Sequence, residues 1–257
     1  MHARFHAPDA SRVGQRVALA DDEAAHLTRV LRLKAGAVVR LFDGAGHEFL
    51  AVVESADRAG AQLRIESVAA AVAEPRVQIT LAPAILKGDK MDDVVRDAVM
   101  LGAAAVVPVF TERSEVSPAI VARSERRARW QRIAVVSAKQ CGRAVVPKVG
   151  EPCSLDDLLG GLEANRHPSS ALMFVEPLAA VDATPLAAVD AKPLSSVGTT
   201  PPAAATVLIG PEGGWSSGEL ARAAERGVTL ITLRAPTLRA DAMPAVALAA
   251  LLSRWEW

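Results

Sequence analysis

The first part of the chain has the hydrophobic pattern of a small β-rich unit. Alternating or β-branched apolar runs at residues 38–42, 49–53 and 62–68 predict three strands separated by glycine-containing turns. A helical spacing of apolar residues precedes them and predicts one helix; it consists of Ala24, Leu27, Val30 and Leu31. Glu74-Pro75 then interrupts the pattern. We therefore expect a first domain over residues 1–73 and a second over 74–257.

Beyond Pro75 the pattern changes to strands that alternate with helices, which predicts a parallel sheet with helical crossovers. The expected strands are residues 77–82, 105–110, 171–175, 205–209 and 228–233. One helix ends at Gly102, and another follows Gly214, where Ser216 and Glu219 form a capping-box pattern. The second domain is therefore expected to be α/β.

The last helix, at about residues 244–254, is apolar nearly all round. Its large apolar side chains are those of Val246, Leu248, Leu251 and Leu252, and Trp255 follows directly after the helix. Such a helix needs cover on more than one side. A second copy of the chain in a homodimer would provide it, and so would burial within the helix's own domain; the pattern favours the dimer.

An eight-residue repeat lies between the third and fourth of these strands. Copies begin at Pro177, Pro185 and Pro193, and a broken fourth copy begins at Pro201. Eight residues are too few for a solenoid unit, and small residues punctuated by proline bury little apolar surface. The pattern predicts a duplicated, mobile surface insertion over about residues 177–203.

Composition excludes several classes of protein. Of 257 residues, 51% are hydrophobic and 23% charged, and no apolar run approaches the roughly 18 residues of a membrane span. We therefore expect a soluble protein without a membrane partner. The first residues contain no apolar leader core, and Cys141 and Cys153 are too few for a disulfide framework. With its histidines scattered, the chain offers no metal site, and the cytoplasm is the expected compartment.

Charge is balanced overall but not locally. Lys and Arg together number 29, as do Asp and Glu, which argues against polyanion binding over the whole surface. Residues 111–148 depart from this balance with nine basic and three acidic residues. A basic face for nucleic acid and a solvated, arginine-rich helix would both give this excess, and the pattern leaves both open.

The strongest chemical signal is the segment LIGPEGGWS at residues 208–216. An apolar strand enters a glycine-rich turn and then a capped helix. Glycines let the backbone approach a ligand, and free amides at a helix start favour electron-rich atoms. The segment lacks both the dinucleotide fingerprint and the Gly-Lys-Ser/Thr of a phosphate loop. It is either a ligand cradle or a tight strand-to-helix turn.

A second loop, at residues 233–242, carries Arg239 and Asp241. Parallel strands end at the same edge of a sheet, so this loop and the glycine-rich turn are expected to converge at a cleft. The alternative is a helix entry in which Asp241 caps the final helix and Pro244 occupies its first turn.

Four motifs stand along the chain: TERS at 111–114, QCGR at 140–143, GPEGGW at 210–215 and LRADA at 238–242. Together they resemble the bacterial 16S ribosomal RNA uridine N3-methyltransferases of the SPOUT class. LRL at 31–33 followed by LFDG at 41–44 is similar to the PUA-like domain of that family. The resemblance covers almost the whole chain.

The resemblance implies a PUA-like β-barrel RNA-binding domain followed by an α/β trefoil-knot methyltransferase domain. It implies a homodimer that uses S-adenosylmethionine to methylate N3 of a uridine in 16S ribosomal RNA of the small subunit. In that family three loops hold the cofactor, here at residues 175–177, 209–214 and 233–242. The implied cofactor-binding residues are Val175, Glu176, Ile209, Gly210, Pro211, Glu212, Gly213, Gly214, Leu233, Leu238, Arg239, Ala240 and Asp241.

Roles in the implied reaction follow from the acidity of uridine N3, which must lose its proton before or during attack on the methyl group. Arg239 could stabilise the forming anion with its fixed charge. Arg143 and Glu212 are further catalytic candidates for orienting the base or accepting the proton. RNA contacts are expected from the arginine-rich helix around Trp130 and from five basic residues, Arg29, Arg32, Lys34, Arg113 and Arg143.

The chain departs from the family's pattern at Ala240, Asp241 and Ala242, where the family usually has Thr, Glu and Thr. A shorter acid and two missing hydroxyls remove hydrogen bonds to substrate or cofactor, so altered activity would originate here. Two alternatives stay open. One is a SPOUT methyltransferase for a ribose 2′-hydroxyl or another base, and the other is an RNA-binding homologue without catalysis.

Overall fold

The computed structural model describes residues 2–57, 60–164, 169–176, 190–233 and 236–255. The chain divides into two compact units, one of residues 1–74 and 135–146 and one of residues 75–134 and 147–257. Among the described residues, no helix is both long and apolar enough to cross a membrane.

The first unit is built on a five-stranded mixed sheet. Its elements are β1 (Arg4–His6), β2 (Arg16–Ala18), α1 (Asp21–Ala25), a π-helical turn (His26–Val30), β3 (Val38–Phe42), β4 (Glu48–Asp57) and β5 (Gly60–Ala69). The strand order is β1-β3-β4-β5-β2, with β1 and β3 parallel and the other pairs antiparallel. Leu63 and Ile65 alternate with exposed residues along β5 and are fully buried. The three strands expected here are confirmed.

The helix expected before these strands is confirmed only in its first half. Ala24 and Leu27 are buried, but Val30 and Leu31 are exposed by 68% and 40%. The regular helix ends at Ala25 and continues as the π-helical turn. A π-helical turn changes the rotation per residue, so the apolar stripe does not stay on one face.

The second unit is a parallel α/β structure. Its strands are β6 (Gln78–Pro83), β7 (Ala105–Val106), β8 (Val109–Phe110), β9 (Lys148–Val149), β10 (Cys153–Ser154), β11 (Ser169–Val175), β12 (Lys192–Pro193), β13 (Ala204–Ile209) and β14 (Thr229–Thr232). Its helices are α2 (Lys90–Met100), α3 (Pro118–Arg123), the first part of α4 (Arg126–Cys141), α5 (Leu155–Ala164), α6 (Ser217–Glu225) and α7 (Met243–Arg254).

The main sheet of this unit is parallel throughout. Within the described part of the chain its order is β12-β14-β11-β13-β6-β7-β9, and β8 pairs separately with β10. Helices α5 and α6 cover one face through a core that includes Leu159, Met173, Leu208, Leu220 and Leu230. The predicted parallel sheet with helical crossovers is confirmed.

The single strand expected at residues 105–110 is two strands in two sheets. β7 ends at Val106 and pairs with β6, whereas β8 begins at Val109 and pairs with β10. Pro108 lies between them and has no N–H group to donate to a strand ladder. The prediction of one continuous strand is therefore wrong.

Residues 135–146 belong to the first unit, although the sequence pattern places them in the second domain. They comprise the last part of α4 and the loop after it. The Arg4 guanidinium donates to three main-chain carbonyl oxygens, those of Ala138, Lys139 and Arg143, at 2.9 to 3.2 Å. The last carbonyls of a helix have no partners within it, so these bonds satisfy the end of α4 and tie it to β1.

Most of helix α7 is buried within its own unit, although Val246 is 39% exposed. Leu248, Leu251 and Leu252 are at most 3% exposed, and the helix packs against α2 and β13. Trp255 donates its indole N–H to the Gly198 carbonyl oxygen at 3.1 Å. Packing within the chain therefore covers most of the apolar helix, and the homodimer stays a prediction.

The eight-residue repeat lies partly outside the described residues, which omit 177–189. The end of the second copy and the start of the third are built into the fold: Lys192 and Pro193 form β12, an edge strand next to β14. Arg254 donates to the carbonyl oxygens of Ser195 and Val197, each at 2.8 Å. From residue 192 to residue 198, the segment expected to be a surface insertion is part of the sheet edge and its support.

Candidate active site

A cavity of about 340 Å³ lies at the carboxyl ends of neighbouring parallel strands in the second unit. β11, β13 and β14 end at Val175, Ile209 and Thr232, and the order β14-β11-β13 brings these ends to one edge of the sheet. Crevices at this edge are the usual ligand sites of parallel α/β sheets, and such sites measure roughly 300 to 1,000 Å³. The cavity thus has the place and size of a small-molecule site.

The glycine turn, defined as residues 209–214, forms one wall of the cavity. The Gly214 N–H donates to the Pro211 carbonyl oxygen at 2.9 Å and closes a tight turn. Gly214 has a φ of +66°, in the left-handed region that favours glycine. The turn places Glu212 at the cavity with its side chain 30% exposed.

Trp215 fixes the position of the glycine turn and explains Gly210. Its indole N–H donates to the Phe174 carbonyl oxygen near the end of β11, at 2.9 Å. A Cβ on Gly210 would lie 3.0 Å from the indole Nε1 and closer to the ring than side chains normally pack. Residue 210 therefore has to be glycine for the turn and the indole to fit together.

Helix α6 begins after the glycine turn with the predicted capping box. Ser216 Oγ accepts from the Glu219 N–H at 3.1 Å, and Glu219 Oε2 accepts from the Ser216 N–H at 2.9 Å. Glu219 Oε1 accepts from the Glu112 N–H at 2.9 Å. The amides of Ser216 and Glu219 are satisfied inside the protein, so these two are not offered to a ligand, contrary to the expectation from sequence.

The loop after β8 braces the outer side of the glycine turn. Arg113 donates to the Gly213 carbonyl oxygen at 2.9 Å, and a Cβ on Gly213 would lie 3.1 Å from the Arg113 Cβ. Hydrogen bonds with Ser216 and Arg222 lower the pKa of the exposed Glu112 carboxyl. Gly213 therefore faces Arg113 and does not line the cavity. Arg113 itself is exposed to solvent.

The arginine loop, defined as residues 236–242, forms a second wall. Arg239 Nε and Nη2 donate to the two carboxylate oxygens of Asp241 at 3.2 and 3.1 Å. The Arg239 side chain is 77% exposed and that of Asp241 is 21% exposed. The N–H groups of Ala242 and Met243 both donate to the Arg239 carbonyl oxygen at 3.0 Å. The loop thus presents a guanidinium group that is oriented by a carboxylate.

Asp241 does not cap the final helix. α7 begins at Met243 with Ala242 as its N-cap residue and without a side-chain capping hydrogen bond. Pro244 occupies the first turn. The helix-entry interpretation is therefore confirmed for Pro244 and wrong for Asp241, whose carboxylate binds Arg239.

Lys90 is a cavity residue that no sequence motif singles out. It is the first residue of α2, and its Nζ lies 2.7 Å from Glu212 Oε1. The only sequence signal is a lysine at the start of a helix that follows a strand. The structure brings Lys90 to Glu212 because β6 and β13 are neighbours in the sheet, although they are far apart in the chain.

Most of the implied cofactor-binding residues gather around this cavity. Those that line it are Val175, Glu176, Ile209, Gly210, Pro211, Glu212, Gly214, Leu233, Leu238, Arg239, Ala240 and Asp241. Further lining residues are Lys90, Phe174, Trp215, Pro236, Thr237 and Met243. Pro177, Arg234 and Ala235 belong to the implied cofactor loops but lie outside the described residues.

Arg143 is not among the cavity-lining residues. It belongs to the first unit, its side chain is 7% exposed, and its guanidinium forms an ion pair with the Glu74 carboxylate. In this structure the Arg143 guanidinium is buried and its charge is paired. The roles expected of Arg143, in catalysis and in RNA contact, stay predictions.

The other basic residues expected to bind RNA differ in their surroundings. Arg29, Arg32 and Lys34 are exposed, and no ion pair involves them within the part of the chain that the structure describes. In α4, by contrast, Arg129 pairs with Asp89 and Asp92, Arg127 pairs with Glu151, and Trp130 is buried. Part of the basic excess at residues 111–148 is therefore used in ion pairs inside the protein.

Comparison with known proteins finds relatives that match both units. Residues 73–252 match the family described as RNA methyltransferase domain, and residues 19–66 match the RNA methyltransferase PUA domain. Ribosomal RNA small subunit methyltransferase E from Synechocystis sp. is 31% identical over 233 residues, which are 91% of this chain and 71% of that protein.

Two solved structures are similar over nearly their whole length. Ribosomal RNA small subunit methyltransferase E from Neisseria gonorrhoeae, bound to S-adenosyl methionine, is 30% identical with a TM-score of 0.83, covering 99% of this chain and 98% of that one. A putative methyltransferase from Legionella pneumophila, in complex with the cofactor SAM, is 27% identical with a TM-score of 0.85, covering 98% of each chain.

Proposed function

The chain belongs to the RNA methyltransferase family with an N-terminal PUA domain, and from that premise we propose that it methylates N3 of a specific uridine in 16S ribosomal RNA. The expected fold class, a SPOUT-type α/β domain with a PUA-like domain before it, is confirmed. The proposal is carried by the cavity, where the glycine turn and the arginine loop meet at one sheet edge.

The residues around the cavity suit S-adenosylmethionine as the cofactor. Phe174, Ile209 and Leu238 offer apolar surface to a purine ring, and Gly210 and Gly214 allow close approach of the backbone. The exposed Glu176 carboxylate lies beside Gly214, where a Cβ would be 3.4 Å from its Oε1. A carboxylate here can balance the positive charge of the cofactor. When bound, S-adenosylmethionine supplies an electrophilic methyl group on a sulfonium sulfur.

Two charged residues of the cavity suit the acceptor. The N3–H of uridine is a weakly acidic imide, and its proton must leave before or as the new N–C bond forms. Arg239 can donate hydrogen bonds to the uracil anion with a guanidinium that Asp241 already orients at 3.1 Å. Glu212 presents a carboxylate that can accept the N3 proton.

The expectations about RNA binding, assembly, the knot and cellular location belong to the same proposal. RNA binding by the first unit is supported by Arg29, Arg32 and Lys34, which are exposed and without an ion pair among the described residues. In the second unit, Arg113 is exposed next to the glycine turn. A homodimer, a trefoil knot, the small ribosomal subunit as partner and a cytoplasmic location rest on the family resemblance. They are tested by the oligomeric state in solution, an experimental structure, binding to isolated subunits and cell fractionation.

The direct test is methyl transfer from S-adenosylmethionine to small ribosomal subunits from a strain that lacks this gene, followed by digestion and mass analysis of the nucleosides. We expect 3-methyluridine. A ribose-methylated nucleoside or another methylated base would assign the chain to a different SPOUT reaction. If no methyl is transferred and calorimetry gives no heat of S-adenosylmethionine binding, the chain is an RNA-binding homologue without catalysis.

Salt dependence tests the RNA-binding surface. Contacts with phosphates release counterions, so affinity for small subunits should fall steeply as salt is added. Replacement of Arg29 and Lys34 with Gln should flatten the slope of log affinity against log salt by roughly one for each charge removed. Arg96→Gln is the matched control, because Arg96 is already paired with Asp93 and Asp97. An unchanged slope in the double variant would contradict this surface.

A further inference from the structure

We infer that Lys90 is a further substrate-contacting residue, whose ammonium group stabilises the negative charge that forms on the uracil when N3 loses its proton. This inference rests on the proposed function and names a residue of the same site. Lys90 lies in none of the motifs that resemble the family, and the structure alone brings it to the cavity.

The cavity contains few charged side chains. Among its described lining residues, the charged ones are Lys90, Glu176, Glu212, Arg239 and Asp241. The two cations differ in solvation, since the Lys90 side chain is 36% exposed and that of Arg239 is 77% exposed. A charge acts more strongly where less water screens it, so Lys90 is the better placed of the two to stabilise an anion inside the cavity.

Lys90 has an unfavourable position for a cation in its own helix. As the first residue of α2, it stands where the helix dipole is positive and where a cation is unfavourable. Two acidic residues are also in this first turn, Asp92 and Asp93, but the Lys90 ammonium binds Glu212 across the sheet edge at 2.7 Å. A residue that breaks a local rule and is then held by a second element is expected at a functional site.

Lys90 and Glu212 are both held in place by elements that adjoin the sheet. The two residues follow neighbouring parallel strands, β6 and β13, whose last residues Pro83 and Ile209 are in register. Lys90 is carried by a helix, and Glu212 is carried by the glycine turn that Trp215 ties to β11. Charges that are already oriented before the reaction stabilise a developing charge without further rearrangement.

The proton transfer that this pair supports is balanced. The N3–H bond breaks, the proton passes to a carboxylate oxygen of Glu212, and the electron pair stays on N3 and spreads to the two uracil carbonyl oxygens. One negative charge has moved from Glu212 to the uracil. Before the proton transfer, the Lys90 ammonium pairs with the negative charge of the Glu212 carboxylate. After the transfer, it donates a hydrogen bond to a uracil carbonyl oxygen.

Lys87, in the segment just before α2, provides a matched control. It stands three residues before Lys90 and forms an ion pair with Glu115 at 2.9 Å, as Lys90 does with Glu212. Its side chain is 70% exposed and it does not line the cavity. Loss of Lys87 removes the same charge and a similar ion pair without removing a contact to the substrate.

The experiment compares Lys90→Met, Lys90→Arg and Lys87→Met with the unaltered full-length protein. Single-turnover transfer to small subunits, calorimetric affinity for S-adenosylmethionine and Tm are measured for each. We expect Lys90→Met to slow transfer roughly tenfold to a hundredfold near pH 7, with cofactor affinity and Tm equal to those of Lys87→Met. Lys90→Arg should keep at least about a third of the rate because it keeps the charge.

The pH dependence separates charge stabilisation from a structural role. As pH rises to about 9.5, more of the substrate uridine has already lost its N3 proton, so the deficit of Lys90→Met should shrink. A deficit that does not change with pH, a matching loss of cofactor affinity, or a rate equal to that of Lys87→Met would overturn the inference. If the unaltered protein makes no 3-methyluridine, the proposed function fails and the inference fails with it.

Discussion

The two walls of the cavity are held in different ways. The glycine turn is tied to other elements of the second unit through Trp215 to Phe174, Arg113 to Gly213 and Lys90 to Glu212. In the arginine loop, the described hydrogen bonds stay local, between Arg239 and Asp241 and from the start of α7 to the Arg239 carbonyl. The glycine turn is fixed by contacts with residues that are distant in the chain. The arginine loop is held by hydrogen bonds among its own residues and with the start of α7.

This difference predicts that the two walls respond differently to substitution. A wall that other elements fix can hold a ligand without further ordering, which favours affinity. The arginine loop instead exposes the guanidinium of Arg239, which is 77% accessible and can contact an incoming base. Substitutions that distort the glycine turn should therefore reduce cofactor affinity and stability, whereas loss of the Arg239 side chain should reduce turnover and leave both nearly unchanged.

The largest effect is expected for Gly210→Val. Its Cβ would lie 3.0 Å from the Trp215 indole nitrogen, so the indole or the turn must move. We expect cofactor affinity to fall at least about a hundredfold in calorimetry and the free energy of unfolding to fall by about 1 to 3 kcal/mol in denaturant titrations.

A glycine outside the cavity provides the control for Gly210→Val. Gly160 lies in α5, and a Cβ there meets nothing within 4 Å. Gly160→Ala should raise the free energy of unfolding by about 0.5 to 1 kcal/mol and leave cofactor affinity unchanged. Unchanged affinity in Gly210→Val would show that the glycine turn does not contact the cofactor.

The second prediction concerns the other wall. Arg239→Ala should lower methyl transfer about a hundredfold, because a positioned donor to the uracil anion is lost. Cofactor affinity and Tm should stay close to those of the unaltered protein, since Arg239 is exposed and bonds only within its loop among the described contacts. Single-turnover rates and calorimetry measure the two effects separately. Unchanged turnover would remove Arg239 from the mechanism.

The same contrast explains which parts of the molecule can be predicted from sequence. The capping box of Ser216 and Glu219 and the left-handed Gly214 are encoded by adjacent residues, so local pattern suffices. Lys90 is different, because its contact with Glu212 depends on β6 and β13 being neighbours in the sheet. The order of the strands in the sheet differs from their order in the chain, and the hydrophobic periodicity of a single segment does not predict it.

Arg143 and the strand predicted at residues 105–110 differ in how much the sequence could have indicated. Arg143 belongs to a basic stretch and to a motif near the middle of the chain, which suggested a functional charge. Its burial with Glu74 arises because residues 135–146 pack with the first unit, a long-range contact. Pro108, by contrast, was a local signal: a missing N–H within residues 105–110 points to an interrupted strand.

The smallest effect tests whether the arginine loop tunes turnover through hydroxyl groups. Ala240 lines the cavity and replaces a threonine of the family pattern, and Ala242 replaces another but is exposed and does not line the cavity. One additional hydrogen bond contributes about 0.5 to 1.5 kcal/mol, so Ala240→Thr should raise turnover or cofactor affinity roughly twofold to tenfold. Ala242→Thr should change neither by as much. Equal gains from both substitutions would place the effect in the loop backbone rather than in the cavity.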